Sequence, residues 1–105
     1  MIERNDRELG VKYNREYKDI INELSKVIQN IDNFYEFIMI ETADWINLNK
    51  VEQDEIVNTI ADDIFFALGS ENIVKLGNGL IKYNAEMNVV EVYKQDKHIE
   101  AIKLI

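Results

Sequence analysis

Cysteine is absent from this 105-residue chain, which removes disulfides, thiolate nucleophiles and cysteine-based zinc or iron sites. That absence fits a reducing compartment, and the cytoplasm is the expected location. Proline is also absent and there are only four glycines, while Asn, Ile, Lys and Tyr are abundant. An AT-rich genome produces that bias, so the composition points to a low-GC bacterium or a phage without bearing on mechanism. Long hydrophobic runs are missing too. The longest lies near Phe34–Ile40 and is interrupted by Glu36. A bilayer-spanning helix needs about 20 apolar residues, so no membrane partner is expected. The opening MIERNDRELG is charged and lacks the apolar core of a secretory signal.

Catalytic side chains are as sparse. His98 is the one histidine, and it falls in or beside a turn next to Lys97. It reads either as a general base or as a solvated turn residue, and the second reading is the simpler. Ser25 and Ser70 are the two serines, and neither sits in a nucleophile-elbow motif. Ser70 follows Gly69, a helix-ending glycine, which accounts for it. Gly77-Asn78-Gly79 lacks the Lys-Ser/Thr and the helix of a phosphate loop and reads as a hairpin turn. Neither a His-Glu-x-x-His nor an EF-hand pattern occurs. Glu55, Asp62 and Asp63 are the best-placed carboxylates, but positions 55 and 62 of one helix stand about 10 Å apart. A solvated helix face explains them more simply than a metal site. No catalytic residue, metal or cofactor is expected.

What remains is enough for a folded domain: 47% hydrophobic and 30% charged residues, spread along one domain's length. The expected fold class is α+β, with two or three N-terminal helices packed on a C-terminal three- or four-stranded antiparallel β-meander. Residues 1–12 read as a polar lead-in, frayed or forming a short helix that ends at Gly10. Over 13–31, Tyr13, Tyr17, Ile20, Ile21, Leu24, Val27, Ile28 and Ile31 recur at steps of three and four, the stripe of a helix with Asn14 as its N-cap. Over 32–48 a second helix capped by Asp32 or Asn33 would turn Phe34, Phe37, Ile38, Trp45 and Leu48 inward; FYEFIMI also has the aromatic and β-branched content of a strand. Helix is the preferred assignment. Over 50–68, Asn49 and Glu52 form a capping-box pair, Ile56, Val57, Ile60, Ile64, Ala67 and Leu68 form the buried stripe, and Gly69 closes the helix in a left-handed conformation. Beyond Ser70, β-forming runs alternate with turn residues: IVKL, LIKY, VVEVYK and IEAIKLI. Val90, Val92, Ile102 and Leu104 are expected on one face, with the terminal residues Leu104 and Ile105 inside the last strand.

The net charge of −8 has one source. Residues 1–30 and 64–105 are each neutral, and residues 31–40 contribute Asp32 and Glu36. Residues 41–63 hold Glu41, Asp44, Glu52, Asp54, Glu55, Asp62 and Asp63 against Lys50 alone, a net of −6. Focused charge steers oppositely charged partners. The plainer reading is that acids suit helix N-termini and solubility. Either way, a negative surface argues against direct nucleic-acid binding, which needs lysine and arginine against phosphate. Trp45, beside Asp44, reads as a core residue or, if exposed, as an aromatic anchor ringed by acids.

The leading expectation is therefore a non-enzymatic inhibitor or immunity-type protein. It would use Glu41, Asp44, Trp45, Glu52, Asp54, Glu55, Asp62 and Asp63 to cap a basic protein partner, a toxin nuclease or a nucleic-acid-binding defence enzyme. Two alternatives stay open: a structural or regulatory module that self-associates, as a homodimer, through its sheet edge or first helix, and a small carboxylate- or metal-dependent hydrolase.

Overall fold

A computed structural model describes residues 10–105. The element order is α1 (Tyr17–Ile28), a 3-10 helix η1 (Phe34–Ile38), α2 (Thr42–Ile46), α3 (Lys50–Ala67), then β1 (Ile73–Leu76), β2 (Gly79–Asn84), β3 (Val89–Lys94) and β4 (Lys97–Lys103). The strands form one antiparallel sheet in the order β1-β2-β3-β4, so the expected α+β meander is present with four strands. The lead-in expected over 1–12, and the short helix ending at Gly10, lie largely outside the described residues.

Alternation sets the sheet's two faces. Val74, Leu76, Ile81, Val90, Val92, Ile102 and Leu104 are buried against the helices. Register aligns Ile81 with Val74 and Val92, and Val90 with Ile102, so inward side chains stack across strands. From the helical side, Ile20, Leu24 and Ile28 of α1, Val57, Ile60, Ala61, Ile64 and Phe65 of α3 and its C-cap Leu68 complete a single cluster. The α3 stripe thus takes in Ala61 and Phe65, while Ile56 and Ala67 are half-buried at its margin.

Four local expectations are corrected. The first helix begins at Tyr17, with Glu16 rather than Asn14 at the N-cap. The residues before it are drawn off by a distant contact: the N–H groups of Asn14 and Arg15 both donate to the Leu104 carbonyl, at 2.9 and 3.3 Å. Residues 32–48 form two short pieces instead of one helix or a strand. Met39 breaks them, with a left-handed backbone (φ 65°); its N–H donates to the Glu36 carbonyl and that of Ile40 to the Tyr35 carbonyl, the paired bonds of a Schellman ending. Gly69 is not left-handed. α3 instead unwinds through tight-turn bonds from Gly69 N–H to the Phe66 carbonyl and from Ser70 N–H to the Ala67 carbonyl. Finally, β4 stops at Lys103. Leu104 is still fully buried and its N–H donates to the Asn88 carbonyl, so this end is tied to the sheet from beyond the strand.

The GNG turn forms as expected. Gly77 takes φ +57°, and a Cβ there would lie 2.5 Å from the Asp32 carbonyl oxygen. The turn therefore does two jobs, reversing the chain and letting the α1–η1 connector cross close above it. Among the described residues no helix is long and apolar enough to cross a membrane.

Candidate functional site: the acidic helical face

Every acid of the 41–63 segment is exposed. The capping box at Asn49 launches α3: the Asn49 side-chain oxygen accepts the Glu52 N–H at 2.8 Å, and the Glu52 carboxylate accepts the Asn49 N–H at 3.0 Å. With its apolar stripe turned to the core, α3 directs its remaining side chains to solvent. Glu55, Thr59, Asp62 and Phe66 follow one another at steps of four, three and four along that outer side. Glu52 and Asp63 share a neighbouring line, eleven residues or about three turns apart. Asp54 lies on the flank facing α1 and borders a groove there with Lys26 and Gln29. The carboxylates thus span the solvent side of α3 rather than converging on a point. No group of three His, Asp or Glu side chains close enough to hold a metal ion occurs among the described residues.

The acids differ in what they do for the fold. Glu52 caps. Asp54 pairs with Lys50 at 2.7 Å, an exposed i,i+4 pair of small energetic worth. Asp62 accepts the Tyr17 hydroxyl, joining α3 to α1. Partial burial of the phenol, reinforced by that bond and by the nearby Asp62 and Asp63 charges, holds the Tyr17 pKa well above the ordinary tyrosine value. Glu41 stands at the N-cap of α2 without a side-chain cap bond, and Asp44 sits in its first turn. Glu41, Asp44, Glu55 and Asp63 make no side-chain hydrogen bond or ion pair with another described residue.

Trp45 is half-buried. Its ring stacks on Tyr35 at 4.9 Å and meets Phe34 edge-on at 5.2 Å, and its carbonyl accepts the Gln53 side-chain amide at 3.0 Å. It fastens α2 and η1 to α3 rather than standing free among the acids. The exposed apolar residues of the segment are others: Met39 (92%), Ile46 (68%), Val51 (65%) and Phe66 (85%). The sequence holds a signal for Phe66, because it falls two places from both Ile64 and Leu68 and so leaves the buried stripe.

Two further surfaces frame the site. Between α1 and α3 runs a polar groove, in two parts of about 350 and 310 Å³, which share Asn22 and Asn58 on their walls. The Ser25 hydroxyl, nearly buried at its floor, donates to the Asn58 side chain at 2.8 Å. The outer face of the sheet carries Lys75, Lys82 and Lys103 against Glu91, opposite in sign to the helices. His98 lies in β4, exposed, its ring edge-on to Tyr93 at 5.2 Å, and the Ser70 hydroxyl donates to the Ala67 carbonyl. Comparison with protein-family models, with curated proteins and with solved structures finds no match to this chain.

Proposed function

We propose that this chain is a non-enzymatic protein-binding protein whose acidic helical face caps a basic surface on its partner, in the manner of an inhibitor or immunity protein acting on a toxin nuclease or a nucleic-acid-binding defence enzyme. One observation carries the reading: between residues 41 and 63 seven carboxylates reach solvent, and Lys50 is the single cation among them. Uncompensated charge of one sign raises the association rate with an opposite surface and penalises wrong partners. A nuclease or nucleic-acid groove is a basic surface of this kind, because it must bind phosphate.

The test separates charge from fold. Glu41→Gln, Asp44→Asn, Glu55→Gln and Asp63→Asn change the carboxylates that bond to no other described side chain, so stability should hold. Wild-type protein and this fourfold variant are used to capture proteins from host lysate at low and high salt, and the basic protein retained is then purified for titration. Four rim charges at about 0.3–0.5 kcal/mol each predict a loss of about tenfold or more in affinity, and a flatter salt dependence. Equal binding by both proteins, or wild-type binding that ignores salt, refutes the reading. A defined homo-oligomer with no partner retained would instead favour self-association through β4, whose seven residues form one edge of the sheet.

A further inference from the structure

We infer that this chain associates with copies of itself head to tail, Phe66 and the carboxylates beside it on one copy docking on the outer sheet face of the next. The inference stands apart from the partner reading above, and a basic partner would compete with the next copy for the same helical face.

The outer sheet face is not the uniformly polar surface that alternation leads one to expect. Register sets Ile73 opposite Lys82, Lys75 opposite Leu80, and Leu80 opposite Tyr93, all on the side turned from the core. Each of these lysines therefore stands beside an apolar side chain. Ile73, Leu80 and Tyr93 line a recess of about 250 Å³, with Lys82 on its wall and Gln95 and Asp96 at the turn beyond β3. Ile73 is 46% exposed there. Glu91, the acid that register places on this face, accepts the Tyr93 hydroxyl at 3.1 Å and the Asn84 side-chain amide at 3.4 Å. Lys75, Lys82 and Lys103 outnumber it, so the face is apolar at the recess and positive around it.

Phe66 is the counterpart. Ile64 and Phe65 are in the core, whereas Phe66 is 85% exposed in the last turn of α3. Asp62 and Asp63 stand four and three residues before it, one turn back along the helix surface. An aromatic ring beside carboxylates thus matches an apolar recess beside lysines, and one docking arrangement satisfies both the apolar and the ionic contacts. The α3 stripe and the inner sheet face line one core, so Phe66 and the recess lie on opposite sides of it and one chain cannot close the contact on itself. Sheet face on sheet face would set lysine against lysine, and helix face on helix face acid against acid. Charge therefore selects the heterologous arrangement, which extends as an open chain or closes as a ring.

Sedimentation velocity of the full chain over a concentration series, at low and high salt, decides the matter. Wild type should sediment faster as concentration rises, and less so at high salt, where exposed charges are screened. Phe66→Arg, and separately Lys75→Glu with Lys82→Glu, should each weaken self-association by about tenfold or more, as loss of a central contact does. All three side chains face solvent, so circular dichroism melts of both proteins should stay near wild type. An equimolar mixture of the two carries one intact helical face and one intact sheet face, and should stop at a one-to-one heterodimer. Wild type that stays monomeric throughout overturns the inference and leaves the recess to a partner other than a second copy. Phe66→Arg that associates like wild type overturns it in favour of edge-to-edge or sheet-on-sheet pairing. A mixture that associates no better than either variant alone overturns it too, since the two intact faces then fail to dock. The Lys75→Glu, Lys82→Glu protein keeps every acid of the helical face, so its capture of a basic protein from lysate reports on the partner reading alone.

Discussion

The capping box at Asn49 and Glu52 makes a sharp test, because Glu52 belongs both to the fold and to the proposed docking face. In Asn49→Ala the Glu52 N–H loses the acceptor it holds at 2.8 Å. The cost of such a loss is about 1 kcal/mol, within a range of about 0.5–2. For a domain of this size that lowers the melting temperature by about 4–8 °C. Glu52→Ala removes the reciprocal bond, the 3.0 Å contact from the Asn49 N–H, together with a charge that favours the helix N-terminus. Glu52→Gln keeps the acceptor and removes only the charge, so its loss should stay near the lower end of the dipole range, about 0.3 kcal/mol. Asn49→Asp should melt like wild type. Far-UV circular dichroism melts of the four variants give the ranking directly. An Asn49→Ala protein that melts within about 1 °C of wild type would refute the account, because a cap of ordinary worth cannot be deleted at so little cost. Glu52→Gln falling as far as Glu52→Ala would refute it differently, by showing that charge rather than hydrogen bonding holds this end.

Gly79→Ala should destabilise by about 1–3 kcal/mol in denaturant titration, because its Cβ would meet Ile31 Cδ1 at 2.6 Å and the Tyr93 carbonyl oxygen at 2.7 Å. Gly77→Ala should cost more, adding a left-handed backbone to its 2.5 Å approach to the Asp32 carbonyl; unchanged midpoints for both would show that the connector does not cross where described. Tyr17 titrates higher folded than unfolded, so its stabilising contribution is complete below about pH 10 and falls as pH rises beyond that. Tyr17→Phe should therefore lose stability less steeply above about pH 10 than wild type does, and parallel pH profiles would rule out the Tyr17–Asp62 link.

Elements whose signals are local were legible in the sequence. Asn49 and Glu52 define the start of α3 within four residues, and the alternation of Val90 and Val92 with Glu91 and Tyr93 places a strand and its buried face. The misread positions are those where a remote partner decides. Asn14 looks like a cap, but its N–H is committed to Leu104, ninety positions along the chain. Gly69 has the conformational freedom to close α3 and does not use it. Met39 carries no turn signal, yet the helix ends there, because Tyr35 and Trp45 stack across the break and packing that aromatic pair outweighs the preference of one residue. The candidate site divides the same way. Its charges are visible in composition, whereas the exchange of Trp45 for Met39 and Phe66 as the exposed apolar groups needs the three-dimensional packing.

Position along α3 also bears on why the acids are there. Glu52, Asp54 and Glu55 lie in the first turns, where the partial positive charge of the helix end favours them, so solubility and helix stability together explain that trio. The same argument fails for Asp62 and Asp63. They lie toward the opposite end, the last turn holds no basic residue to balance them, and the dipole there disfavours anions. Asp62 has a structural reason in Tyr17. Asp63 bonds to no described side chain, and it faces solvent on the line next to the one that carries Asp62 and the 85%-exposed Phe66. A fold needing only a soluble helix would gain from a lysine at that position. The negative charge thus runs along the full outer length of α3, past the point where the helix itself benefits, which is the distribution that the proposed docking face requires.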